Sequence, residues 1–163
     1  DLLMTAAVLH DMGKVKEFSF TVPPFNYSDE GRLLGHMTIC QGMLGDKIAA
    51  LPAFPEQTTL LLRHLILSHH GSYEYGSPVL PMTREALVLN FLDDLDAKMN
   101  YLDRLSLKSV GDDYQWTDYQ RNMERYFYVT GQPAGQTEAA VKPDPADGKS
   151  VQDDAAKQPT LWD

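Results

Sequence analysis

The chain has a single cysteine, Cys40, among 163 residues. That excludes an intramolecular disulfide framework and a zinc site built on thiolates, and it fits a reducing compartment. No apolar run approaches the roughly 20 residues that a membrane-spanning helix needs. Leu2 to Leu9 is apolar, but no basic segment precedes it and it ends in a charged, polar run, unlike a secretory signal. Together these absences predict a soluble, cytoplasmic protein with no membrane partner. Basic residues are also scarce, with 14 Lys and Arg against 23 Asp and Glu and a net charge of -9. This balance argues against broad electrostatic attraction to nucleic acid, because that attraction comes from cationic side chains neutralising phosphates. A nucleotide substrate is not excluded, since a bound metal can reverse the sign of a site. There is no internal repeat, and no alternating stretch long enough to need a sheet.

What remains is a helical pattern. An apolar content of 43% is enough for one core, and the length suits one domain. The chain begins at Asp1 and enters an apolar run with no helix start signal, which reads as a piece of something longer. Leu2, Leu3, Ala6, Ala7 and Leu9 predict a buried helix ended by Gly13 as a left-handed cap. Pro23 and Pro24 mark a loop. Ser28 or Asp29 starts a second helix running to about Leu51. A third, apolar enough to be buried on most sides, spans Glu56 to Ser68, and Gly71 ends it. Thr83 caps a fourth, to about Leu107, and residues 117 to 128 predict a short aromatic-rich helix. From Gly131 the chain is rich in Pro, Gly, Ala, Gln and Asp, carries a charge of -3, and reads as a disordered acidic tail.

Four segments carry chemistry. They are LHDMGK around His10 and Asp11, GHM around His36, SHHG around His69 and His70, and LDDLDAK around Asp93 and Asp96. Imidazoles and carboxylates together suit divalent first-row metals such as Mn, Fe, Co or Ni. Two such ions sharing a carboxylate make a phosphodiester-cleaving centre. Each segment alone also has an ordinary structural reading. His69 and His70 suit a helix end and its dipole, His36 a hydrogen-bonded core, and Asp93 and Asp96 a solvated helix face shared with Asn100. His64 is assigned a structural role, and Asp94 and Asp103 the solvated face. A site is favoured because the segments fall on successive helices of one small bundle, where facing side chains commonly build metal centres.

In this order the elements resemble the HD-domain metal-dependent phosphohydrolases, an all-helical superfamily. The longer runs HDMGK, YSDEGRLLGH, LILSHHG, EYGSP and FLDDLDAKMN are similar to the C-terminal HD domain of the YhaM-type 3′ to 5′ exoribonucleases. The resemblance covers roughly Asp1 to Asn100. It implies an all-α HD-domain helical bundle over residues 1–130, lacking its first helices, with the tail at 131–163 outside it. It makes Asp11 the carboxylate that bridges two metals and His10 its partner. His36, His69 and His70 become ligands of one ion, and Asp93 the closing ligand of the other. Asp96, one turn on, is assigned to the surroundings of the metal or to orienting substrate.

The expected activity is hydrolysis of single-stranded RNA, with single-stranded DNA as a further candidate substrate, from the 3′ end by a metal-activated hydroxide, with Mn the leading cation. Asp11 and Lys14 are the catalytic candidates. Lys14 and Arg32 are the candidate phosphate contacts, Arg32 being equally suited to a surface ion pair. Tyr75, with Tyr73, is a candidate to stack on a base, packing or simple exposure being equally suited readings. Two departures from the family pattern accompany this. Its further metal-binding histidine lies upstream of the HD dipeptide and is absent here, which predicts weakened binding of the first metal. The N-terminal OB-fold of the YhaM group is absent too, and is expected in the full-length protein. Two other function classes stay open. One is an HD-type phosphohydrolase of a cyclic dinucleotide or deoxynucleotide, the former weakened by the lack of a GYP signature. The other is a non-catalytic helical module for nucleic-acid binding or assembly, a homo-oligomer included.

Overall fold

Cap chemistry sets the two long helices. The Ser28 hydroxyl accepts from the amide of Gly31 at 2.9 Å, and Asp29 and Glu30 follow in the first turn, where the helix dipole favours anions. Thr83 likewise accepts from the amide of Ala86 at 3.1 Å. In the computed structural model, which describes residues 1–21, 24–109, 111 and 113–131, the helices are α1 (Leu2–Leu9), α2 (Lys14–Glu17), α3 (Asp29–Ala49), α4 (Glu56–Ser68) and α5 (Arg84–Lys108). The expected disordered tail, which falls beyond residue 131, and Pro23 of the first loop lie outside the described residues.

The core forms where α1, α3, α4 and α5 meet. Ala6, Cys40, Leu44, Leu62, Leu65, Ile66, Ala86 and Leu89 are buried together, and Leu2, Leu3, Leu9, Met12, Ile48 and Phe54 pack around them. Burying a leucine or isoleucine side chain contributes roughly 1.5 to 3 kcal/mol, so this cluster carries most of the apolar stabilisation. The expected burial is only partly met. Leu60 on α4 and Phe91, Leu92 and Leu95 on α5 are more than half exposed. These positions lie on helix flanks turned away from the core, so the apolar surroundings of Asp93 do not enclose it.

Four local readings are corrected. Gly13 is not a left-handed cap, for its φ is -61° and it leads directly into α2. Glycine is required there by proximity, because a Cβ would meet the carbonyl oxygen of His36 at 2.0 Å. Helix α3 is not continuous, since Gly35 interrupts it at φ 69°, ψ 156°. Glycine takes that conformation without the steric penalty other residues meet. Short strands also occur: β1 (Phe18–Ser19) pairs antiparallel with β2 (Asn26–Tyr27). Finally, the segment read as an aromatic helix belongs to a hairpin in which β3 (Tyr114–Trp116) pairs with β4 (Tyr128–Thr130). Aromatic residues suit a pleated surface, and the Trp116 and Tyr128 rings, cross-strand partners, lie 4.9 Å apart.

Candidate metal centre

The turn after α1, the kink in α3, the end of α4 and the middle of α5 bring His10, Asp11, His36, His69, His70 and Asp93 to one place. The Asp11 carboxylate is central. Its Oδ1 lies 3.6 Å from His36 Nε2 and 3.8 Å from His69 Nε2, while its Oδ2 lies 3.5 Å from His10 Nε2. The Oδ1 of Asp93 is 3.5 Å from the same His10 nitrogen. The imidazoles crowd one another, with His69 and His70 ring centroids 4.3 Å apart and His10 and His69 5.0 Å apart.

Each histidine is oriented by its other nitrogen. Nδ1 of His10 lies 2.9 Å from the carbonyl of Ala7, Nδ1 of His69 is 2.6 Å from that of Ile66, and Nδ1 of His70 is 2.7 Å from that of Tyr75. Nδ1 of His36 is 3.2 Å from Oε1 of Glu17. All four partners are oxygens. A carbonyl can only accept, so in His69 and His70 Nδ1 carries the proton and Nε2 presents a lone pair to the cluster, while in His10 the same bond leaves Nε2 facing Asp11 and Asp93.

Burial and charge set the protonation states. His69 is fully buried, and burial pushes its pKa down to about 4. Burial also lowers His36, against the raising effect of Glu17. The Asp93 hydrogen bond raises His10, and His10 in turn lowers Asp93. Each shift favours the charged form of its group, so a metal taking both donors competes with the proton held between His10 Nε2 and Asp93 Oδ1.

The donor set fits divalent cations. Asp11 Oδ1, His36 Nε2 and His69 Nε2 are buried and have no hydrogen-bond partner. Three such atoms converging from three elements constitute an unmet electrostatic demand, since unpaired buried polar atoms are each costly. Donors bound to one ion at about 2.1 Å lie roughly 3.0 to 3.4 Å apart, close to the separations around Asp11. Two triads of donor atoms, His36, His69 and His70, and His10, His69 and Asp93, each lie within 4.8 Å of one another. The second opens onto a cavity of about 280 Å³, lined by His10, Asp11, Asp93 and Asp96 with Ala7, Leu89 and Leu92 as its apolar wall.

The remaining candidates are placed less uniformly. Lys14 donates to Asp11 Oδ2 at 2.7 Å, at the rim of the cluster. Asp96 reaches the cavity wall, where it accepts from Asn100 at 2.9 Å. Arg32 lies over the Tyr27 ring, 5.6 Å from its centroid. Tyr75 is engaged through its backbone carbonyl, while its side chain is largely exposed. His64 is structural, its Nε2 accepting from the amide of Met82 at 2.9 Å, and Asp94 pairs with Lys98 on the surface. Two supporting residues escaped sequence reasoning. Glu17 sits where the apolar period is lost, and Asn90, which donates to the His69 carbonyl at 2.8 Å, is embedded in an apolar run.

Known proteins similar to this chain place it in a family. The family model for the HD domain matches residues 1–98. The chain is 50% identical over 104 residues to the 3′-5′ exoribonuclease YhaM of Bacillus subtilis (strain 168). The corresponding values are 47% for YhaM of Bacillus pumilus and 46% for that of Shouchella clausii, again over 104 residues. Each match covers 64% of this chain and 32% of the relative, so the chain spans about a third of the length of the curated relatives it matches. No solved structure matches it. With the HD dipeptide, the histidine pair and Asp93 all inside the matched region, the chain belongs to the HD-domain family.

Proposed function

We propose that this chain is the hydrolytic domain of a metal-dependent phosphodiesterase that removes nucleotides from the 3′ end of single-stranded RNA. The observation that carries the reading is the convergence of three buried, unpartnered ligand atoms, Asp11 Oδ1, His36 Nε2 and His69 Nε2. The 46 to 50% identity to proteins named 3′-5′ exoribonuclease supports the substrate class. One site would be held by His10, Asp11 and Asp93, the other by Asp11, His36, His69 and His70, with Mn as the leading cation and Fe, Co or Ni also suited to these donors. His69 can serve only one site, because its Nδ1 is engaged with Ile66.

When bound, such cations supply Lewis acidity toward the scissile phosphate and lower the pKa of a water. The chain's own residues do the rest. Asp11, fixed by Lys14 on one oxygen, directs the other at His36 and His69. Lys14 brings a cation to the rim, where it offsets charge gathering on phosphate oxygens. Asp96, which lines the cavity and is held by Asn100, would orient the sugar. The exposed ring of Tyr75 offers a stacking surface to a base.

The test supplies the protein with Mn and, separately, a 5′-labelled single-stranded RNA, a cyclic dinucleotide and a deoxynucleoside triphosphate, beside an Asp11→Ala control. Stepwise shortening of the RNA that vanishes in the control is expected. Turnover of the small nucleotides alone would replace the substrate class, and equal turnover by the control would remove the site.

A further inference from the structure

Glu17 is one of the few charged residues the fold buries, at 6% exposure, and nothing in the reaction requires it to touch substrate. Its Oε1 accepts the backbone amide of His36 at 3.0 Å and faces the Nδ1 of the same residue at 3.2 Å. One oxygen thus serves both the main chain and the ring of one histidine. Among the four clustered histidines, His36 is the one whose Nδ1 partner is a side chain. The others use carbonyls of Ala7, Ile66 and Tyr75.

The reason lies in the kink. Gly35 breaks the helix immediately before His36, so the His36 amide needs an acceptor from outside α3. Glu17 reaches it across 19 residues of sequence. Its own backbone is fixed twice over, with its amide donating to Gly13 at 3.0 Å and its carbonyl accepting from the Ser28 amide at 2.9 Å. Gly31 lets α3 approach that carbonyl, since a Cβ at Gly31 would lie 2.2 Å from it.

We infer that Glu17 is a positioning residue that locks His36 as the Nδ1–H tautomer, so that Nε2 faces Asp11 as a lone-pair donor; this rests on the metal-binding reading above. Because Oε1 already accepts the amide, the ring must bring the proton to it, and the Nε2 left bare is the atom found buried without a partner. A carboxylate behind a ligating imidazole also raises its basicity, and losing such a partner typically weakens metal affinity about 10- to 100-fold.

Two readouts on the 163-residue chain test this. The first is the His36 tautomer in metal-free protein with ¹⁵N-labelled histidine, assigned with His36→Gln. The second is Mn affinity by chelator competition in wild type, Glu17→Gln and Glu17→Ala. The Gln variant keeps a neutral acceptor for the His36 amide, which preserves the merely structural role, and its fold is checked by circular dichroism. Expected are an Nδ1–H tautomer in wild type, a share of the Nε2–H tautomer in Glu17→Gln, and Mn affinity at least about tenfold weaker. An Nε2–H tautomer in wild type overturns the inference whether or not any variant folds. So does a folded Glu17→Gln that binds Mn as tightly as wild type. If wild type binds no Mn yet its Nδ1–H tautomer is lost in Glu17→Gln, the metal reading falls while the control of His36 by Glu17 stands.

Discussion

Acidifying the metal-free protein should destabilise it through His69. The ring is fully buried, with Nδ1 donating to Ile66 and Nε2 unpartnered, and its pKa is about 4 against an ordinary 6.5. The folded state therefore resists a proton that the unfolded chain accepts. Its stability contribution is complete above pH 6.5, declines as pH falls from there toward about 4, and is constant below. The full difference corresponds to about 3 kcal/mol, of which about 2 kcal/mol is lost by pH 5. Neighbours complicate the total. His36, also lowered, acts in the same sense. His10, raised, stabilises most below 6.5 and loses that contribution as pH rises through its folded pKa. Asp93, lowered, loses its contribution only as pH falls from 3.8 through its folded pKa. Urea unfolding at pH 7.5 and pH 5, with chelator present, should be compared between wild type and His69→Gln. Any constant cost of the substitution cancels in the difference between the two pH values. Wild type should lose about 2 kcal/mol more than the variant on acidification. Parallel losses in the two proteins would refute the claim that His69 is buried neutral.

Two further outcomes follow from the same geometry. Gly13→Ala places a Cβ 2.0 Å from a backbone oxygen and 2.8 Å from the carbonyl carbon of His36, so α2 and α3 must part. Overpacking of this kind costs about 1 to 3 kcal/mol, and thermal circular dichroism should show a melting temperature lower by several degrees, an unchanged one arguing against the close approach. Mn at about 100 times its dissociation constant should stabilise the fold by about 2.7 kcal/mol, reversibly on adding chelator. The same addition should do far less for Asp11→Ala, and equal stabilisation of both proteins would place the ion elsewhere.

Local chemistry was legible in the sequence and long-range geometry was not. The Ser28 and Thr83 caps, and the limits of α4 between Pro55 and Gly71, follow from residues within a few positions of each boundary. The Gly35 break did not announce itself, because a glycine inside an apolar helical pattern is compatible with continuity. Nor did the hairpin at 114–130, whose aromatic residues suit either a strand or a helix until a partner strand is known. Exposure of Phe91, Leu92 and Leu95 depends on which flanks the other helices cover, which periodicity alone does not define.

The histidines show most plainly where this boundary falls. His10 and His69 each follow directly on the last residue of a helix and face the carbonyl three residues earlier. The last carbonyls of a helix lack intrahelical partners, so a histidine there finds an acceptor for Nδ1 within its own turn and turns Nε2 outward. The helix-end position that first suggested an interaction with the dipole is thus an orienting device written in local sequence. His36 stands just past a break in its helix, where no such carbonyl serves it. Its orientation had to come from another element, which is why Glu17 is buried and why no spacing rule pointed to it.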